Sequence, residues 1–158
     1  MKKLSLLLSL ITFVFLFVSC SKSIVFEETV AFPNNNWAFE NKALNFKAEI
    51  KGSEKPLSLV LEFETIGTPN SNMIYTTITT VSPRGGKAIT SIVLNFQNPR
   101  EPVREGSTPN AKIYTFTVYP KRYFLETGTY SFEVNQHSNK ADNYGIRSMR
   151  IYIEKVKE

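Results

Sequence analysis

Alternation of apolar and polar residues, one position at a time, constrains this chain more than any other feature. Residues 44–50 read LNFKAEI, and the same pattern returns in residues 114–118 and 130–134. A period of two places alternate side chains on opposite faces of a β-strand. No stretch outside residues 1–19 sustains the period of a helix. The sequence therefore predicts a fold built from β-strands.

About eight strands of this kind are separated by turn residues rather than by helices. Asn, Gly and Pro mark the turns, and residues 85–87 (GGK) are typical of a hairpin turn rather than of a phosphate-binding loop. Parallel strands need long crossovers, so we expect antiparallel sheets. The predicted fold class is all-β, an antiparallel two-sheet β-sandwich of jelly-roll or immunoglobulin-like type, with a closed barrel as the alternative. The predicted strands are residues 24–32, 44–50, 57–63, 73–81, 89–96, 114–118, 130–134 and 149–153.

Tyr130 opens one of these strands after the turn residue Gly128. This spacing resembles the tyrosine corner of β-sandwiches, in which the tyrosine hydroxyl bonds back to upstream backbone. An ordinary tyrosine at the start of a strand explains the spacing equally well. Both interpretations remain open at the level of the sequence.

The N-terminus has the form of a bacterial lipoprotein signal. Lys2 and Lys3 precede 15 uncharged residues, 4–18, and the run ends at Ser19-Cys20. The apolar run is shorter than the roughly 20 residues that span a bilayer as a helix. We expect residues 1–19 to be a signal peptide, residues 20–23 the lipidated Cys20 with a short tether, and residues 24–158 one domain. A retained membrane helix and a free structural cysteine are the alternatives.

Cys20 is the only cysteine of the 158 residues, so it has no disulfide partner within the chain. Two acyl chains on its thiol would make membrane attachment stable, and the three following residues reach at most roughly 10 Å. No acidic cluster follows Cys20, which favours an outer-membrane location that faces the periplasm over the cell surface. Without Lys2 and Lys3 the chain keeps 17 basic and 14 acidic side chains, a net charge of +3 that does not suggest nucleic-acid binding.

Few residues could carry chemistry. His137, the single histidine, lies in a polar run and is interpreted as a surface-loop residue without the partners of a catalytic triad. Glu62 and Glu64 lie on one face of a strand, and a solvated face explains them better than the paired carboxylates of a glycosidase. Asp142 is the only aspartate, too few for an acidic metal loop. The sequence predicts no catalytic residues, no metal, no cofactor and no enzymatic activity.

Trp37 is the single tryptophan and is the one weak candidate for ligand binding. A tryptophan in a loop can stack on a sugar, but it more often packs as a lid over the core. Asn34, Asn35 and Asn36 precede it. Exposed aromatic rings beside Asn and Gln would be the feature that favours carbohydrate binding.

The order of short motifs resembles the gliding-motility lipoprotein GldH family. The motifs are residues 25–28 (VFEE), 32–37 (FPNNNW), 128–136 (GTYSFEVNQ) and 151–155 (IYIEK), after a lipoprotein cysteine. The chain departs from the family in residues 61–65, where an Arg is usual, and in residues 98–106, where a Gly-Trp-Gly-type turn is usual. The resemblance implies a divergent member with a lipoprotein location, a β-domain and a role in motility or secretion.

Three classes of function follow from these observations. The favoured one is a non-enzymatic lipoprotein that acts as a structural or interaction component of the envelope, with the membrane and envelope proteins as partners. The second is a periplasmic or surface module that binds glycan or peptide. The third, an enzyme, lacks recognisable chemistry. A flat apolar patch or an open sheet edge would favour the first, and an apolar concavity lined by aromatic rings the second.

Overall fold

The computed structural model describes residues 23–156, which contain nine β-strands and two short 3-10 helices. The predicted signal peptide, residues 1–19, and Cys20 lie outside the described residues. No helix within residues 23–156 is long and apolar enough to cross a bilayer. The strands are β1 (Ile24–Ala31), β2 (Ala43–Ile50), β3 (Leu57–Ile66), β4 (Met73–Val81), β5 (Lys87–Asn95), β6 (Arg104–Glu105), β7 (Ala111–Arg122), β8 (Gly128–Gln136) and β9 (Ile146–Lys155), and the helices are Pro33–Asn35 and Phe39–Asn41.

The strands form two antiparallel sheets packed face to face, so the predicted β-sandwich is confirmed. The first sheet has the order β1-β9-β3-β7-β6 and the second the order β2-β8-β4-β5. Apart from the β4–β5 hairpin and the two-residue β6, each successive strand lies in the opposite sheet. This alternation is the jelly-roll arrangement, one of the two types expected, and the closed barrel is excluded.

The core fills the space between the sheets with the residues that alternate inwards. In β2 the buried residues are Leu44, Phe46, Ala48 and Ile50, as the alternation predicts, and the residues between them are exposed. Phe63 of β3 lies at the centre, where its ring contacts those of Trp37, Phe96 and Phe116 with centroid separations of 5.6–5.9 Å. Aromatic packing of this kind explains how the domain builds its core without a disulfide.

One side of the sandwich is open. β5 is the last strand of its sheet, and in the other sheet β7 is covered at its free edge only by the two residues of β6. The β4–β5 hairpin turns through Gly85, whose φ of 85° suits glycine, so the predicted hairpin turn is present. Thr90 of β5 reaches across to β7, where its hydroxyl lies 2.7 Å from the Tyr119 hydroxyl.

Candidate interaction surface

The outward side of the β4–β5 hairpin carries an exposed apolar patch. Antiparallel pairing sets Tyr75 opposite Val93 and Thr79 opposite Ile89, so their side chains lie on the same face of the sheet. Met73, Tyr75, Ile89 and Val93 are 53%, 62%, 62% and 43% exposed. We call these four residues the β4–β5 face. Large apolar side chains clustered on a sheet surface are typical of a contact with another molecule.

The free edge of β5 adjoins this face. Within residues 23–156, β5 pairs with β4 on one side and with no strand on the other. Edge strands usually carry charged residues that discourage further pairing. β1 has Glu27 and Glu28, and β2 has Lys47 and Glu49, whereas residues 88–98 contain no charged residue. The β5 edge is therefore open to pairing with another strand.

A concavity of about 1020 Å³ runs along this edge. Its lining includes Thr90 and Ile92, which point to the core side of β5, as well as Ser91 and Val93, which point outwards. The concavity thus extends around the edge rather than into one face. Phe116 of β7, a half-buried core residue, is reached from it. Polar groups complete the wall, among them Asn95, Asn98, Arg100, His137 and Glu101, which accepts a hydrogen bond from the Thr117 hydroxyl at 3.0 Å.

His137 lies beside the β4–β5 face as an exposed residue. Its Nε2 is 2.9 Å from the Thr77 hydroxyl, and its backbone N–H donates to the Tyr75 carbonyl at 2.7 Å. Within residues 23–156 its ring has no carboxylate partner, so the orienting group of a triad is missing from this pair. No group of three or more His, Cys, Asp or Glu side chains in the described part of the chain is placed to hold a metal ion.

A buried polar cluster beside His137 holds loops rather than reacting groups. Asn143 is fully buried, and its Oδ1 accepts hydrogen bonds from the Ser71 and Ser138 hydroxyls at 2.7 and 2.8 Å. Its Nδ2 donates to the Trp37 carbonyl at 3.0 Å. The amide group thus satisfies donors and acceptors from three loops at one end of the sandwich, which is a structural role.

Trp37 is fully buried, so it does not offer a surface to a ligand. Its indole is stacked between Phe32 and Phe63, and its Nε1–H donates to the Asn41 carbonyl at 3.0 Å. The packing matches the lid over the core that the sequence favoured. The weaker interpretation of Trp37 as a ligand-binding residue is wrong, because the ring is enclosed by the core on both faces.

Glu62 and Glu64 also differ from the sequence-based interpretation. They do lie on the outer face of β3, but Glu62 is only 8% exposed, since the guanidinium groups of Arg104 and Arg150 bind its two carboxylate oxygens. Arg150 continues the network to Glu27 of β1. The alternation assigned the correct face, but β3 is central in its sheet, and long side chains from both neighbouring sides cover it. The face that was predicted to be solvated therefore carries an ion-pair network.

The packing on this outer face also shifts the pKa values of three side chains. Burial raises the pKa of Glu64, but hydrogen bonds from Ser107 and the charge of Arg147 outweigh it and leave that pKa below its ordinary value. Burial lowers the pKa of Arg150, and its bonds to Glu27 and Glu62 more than compensate, so the net shift is upward. Burial and nearby carboxylates raise the pKa of Tyr152 to about 12. Glu64 and Arg150 are thus held in their ionised forms by their partners, and Tyr152 is held in its neutral form.

The residues of the β4–β5 face were not singled out from the sequence, although residues 73–81 were expected to form a strand. A signal was present in β5. Its inward residues Ile92 and Leu94 are apolar, and so are its outward residues Ile89 and Val93. An edge strand that is apolar on both sides indicates that its outer face meets something.

No protein-family model matches the chain, and no curated protein is significantly similar to it. Among solved structures it is similar to that of TmCBM61 in complex with β-1,4-galactotriose, with a TM-score of 0.30 and 10% identity over 86% of this chain and 81% of that chain. It is also similar to the enzymatically active domain of tailspike protein 4 of bacteriophage CBA120. There the TM-score is 0.30 and the identity 15%, over 82% of this chain and 17% of that chain. Likenesses this weak carry no argument about function.

Proposed function

We propose that this chain is a non-enzymatic lipoprotein of the bacterial outer membrane that binds a partner protein of the envelope through the β4–β5 face. The single observation that carries the proposal is the exposed patch of Met73, Tyr75, Ile89 and Val93 beside a strand edge that has no charged residue after Lys87. Interface cores are enriched in aromatic residues and Met and depleted of charge. This composition matches the face.

Attachment to a membrane supports the same function. The signal at residues 1–19 and the lipid on Cys20 would place the domain at a membrane surface facing the periplasm, where its partners are membrane-associated proteins. Resemblance to the gliding-motility lipoprotein family suggests that the assembly serves motility or secretion. Replacement of Cys20 by Ala tests the anchor. We expect loss of lipid labelling and accumulation of an uncleaved precursor, and normal labelling of the variant would contradict the anchor.

Partner binding is tested by crosslinking and capture of the full-length protein from its own envelope. Tyr75→Ser should abolish capture of the partner, because it removes the one aromatic ring among the four residues of the β4–β5 face. Tyr123→Ser is the matched control, since Tyr123 is 59% exposed but lies outside that face. Equal capture by wild type and both variants would place the partner on another surface and would overturn the proposed face.

A second candidate, glycan binding, is favoured by the lining of the concavity. Tyr75 offers an exposed ring there, and Asn95, Asn98 and His137 offer polar groups of the kind that bind hydroxyl groups. Glycan arrays probed with wild type and Tyr75→Ser separate the two functions. A glycan ligand that depends on Tyr75, together with no captured protein, would establish the second candidate and refute the first.

A further inference from the structure

The free edge of β5 has a residue pattern that is complementary to itself. β5 has nine residues, Lys87–Asn95, and Ser91 is the middle one. If two copies of the strand pair antiparallel about Ser91, Ile89 of one copy lies opposite Val93 of the other. The same register sets Thr90 opposite Ile92 and Lys87 opposite Asn95. Apolar residues therefore meet on the outer face, and no like charges oppose each other.

The edges formed by β1 and β2 carry charged side chains in the middle of the strand, where the β5 edge carries none. The free side of β1 carries Glu27 and Glu28, and β2 carries Lys47 and Glu49, so pairing of either edge brings charges to the junction. A two-fold dimer uses the same surface on both copies, which requires an antiparallel strand pair, as the β5 register provides. The concavity along β5 leaves part of this edge open, with the loop residues Asn98, Arg100 and Glu101 on its wall.

We infer that β5 pairs with β5 of a second copy of this chain, centred on Ser91, and that the two four-stranded sheets become one eight-stranded sheet. The pairing sets Val93 of one copy opposite Ile89 of the other, with Tyr75 beside Val93 on the neighbouring strand β4, so the two β4–β5 faces join into a single apolar surface. The inference goes beyond the proposed function, because it concerns the strand edge and needs no partner protein. Copies tethered to one membrane meet at a high effective concentration, which favours pairing through a small interface.

The register predicts a charge-exchange experiment. In the paired strands residue 89 of one copy faces residue 93 of the other, so Ile89→Lys and Val93→Glu should each weaken the homodimer. When the two variants are mixed, the introduced ammonium and carboxylate groups face each other. We expect native mass spectrometry of purified full-length protein in detergent to show heterodimers as clearly more than half of all dimers. A heterodimer share at the statistical half would overturn the register.

A second variant tests the centre of the pairing. Ser91→Lys sets two ammonium groups opposite each other at the two-fold axis and should weaken the dimer by roughly fivefold or more. Asn45→Lys adds the same charge to an exposed position on β2 at the other side of the same sheet, and it should leave dimerisation unchanged. Thermal unfolding of each variant shows that the fold is retained, and the mixing experiment does not depend on Ser91→Lys.

Three results would overturn the inference. The wild-type protein could remain a monomer at about 1 mM, a concentration that detects even weak association. The dimer could respond to Asn45→Lys and not to Ser91→Lys, which would place its interface elsewhere. Finally, the monomeric protein could show protection of the β5 amides from hydrogen exchange only in the presence of envelope extract, which would identify another protein as the occupant of the edge. None of these results depends on Tyr75→Ser, so the proposed partner-binding function stands or fails separately.

Discussion

The backbone N–H of Glu126 donates a hydrogen bond to the Tyr130 hydroxyl at 3.2 Å. Tyr130 is buried, and its ring packs edge-on against Phe124 with a centroid separation of 5.1 Å. The loop before β8 is thus fastened to the strand that it leads into. Of the two interpretations open at the sequence level, the tyrosine corner is confirmed.

Tyr130→Phe should lower the free energy of unfolding by about 1 kcal/mol, because it removes the hydrogen bond and keeps the ring. Urea unfolding followed by circular dichroism measures the change. Tyr123→Phe is the control, since that ring is exposed and its hydroxyl makes no comparable bond within residues 23–156. A loss as large in Tyr123→Phe as in Tyr130→Phe would contradict the role of the corner.

Glu62→Gln should destabilise the fold by about 1–2 kcal/mol, since it leaves the guanidinium groups of Arg104 and Arg150 without a charged partner on a nearly buried site. Glu105→Gln is matched to it, because the Glu105–Lys112 pair at 3.1 Å lies at the exposed rim of the same sheet. We expect a change below about 0.5 kcal/mol there. Equal effects of the two replacements would show that the network around Glu62 contributes no more than a surface pair.

The sheet architecture could be predicted from residues whose environment is set by their own strand. In β2, Phe46 and Ile50 are buried and Lys47 and Glu49 are exposed, because one face of that strand meets the core and the other meets solvent. The Gly85 turn was also predicted, and the Tyr130 corner was one of two interpretations left open, since both depend on interactions within a few residues along the chain.

Features that depend on strand order could not be read from the sequence. Glu62 looked solvated because nothing local shows that β3 lies between β9 and β7 and that Arg150 reaches it from 88 residues away. β6 escaped notice because two residues give no alternation. The open edge of β5 could not be predicted either, because a strand is recognised as an edge only when the order of all strands in its sheet is known.

Trp37 provides a spectroscopic test of the core. As the only tryptophan, enclosed between Phe32 and Phe63, it should emit at short wavelength and resist quenching by iodide in the native protein. Denaturant should shift the emission to longer wavelength. Tyr75→Trp in a Trp37→Phe background is the control, since it moves the indole to the β4–β5 face and should make it quenchable. Strong quenching of Trp37 in the wild type would contradict its burial.

Glu64 predicts a loss of stability in acid. Its pKa in the folded state lies below the ordinary value of about 4.3, because Ser107 and Arg147 bind the carboxylate. The stabilisation is therefore present above the ordinary pKa and is lost as the pH falls through the folded pKa. Glu64→Gln should destabilise the protein at pH 7 and less at pH 3, as measured by urea unfolding. Glu54→Gln, at an exposed position, is the control, and its free energy of unfolding should change between pH 7 and pH 3 by as much as that of the wild type. The same change in Glu64→Gln would refute the prediction.

The raised pKa of Tyr152 predicts a loss of stability in alkali. Burial and the charges of Glu62 and Glu154 raise its pKa to about 12, against about 10 in an unfolded chain. The folded state therefore favours the neutral phenol, and this contribution to stability is fully present below pH 10 and is lost as the pH rises through the folded pKa. Titration of phenolate absorbance should show a step near pH 12, and Tyr152→Phe should remove that step. Tyr75→Phe, which alters an exposed ring, should leave that step in place. If the step near pH 12 survives in Tyr152→Phe, it does not belong to Tyr152 and the prediction is wrong.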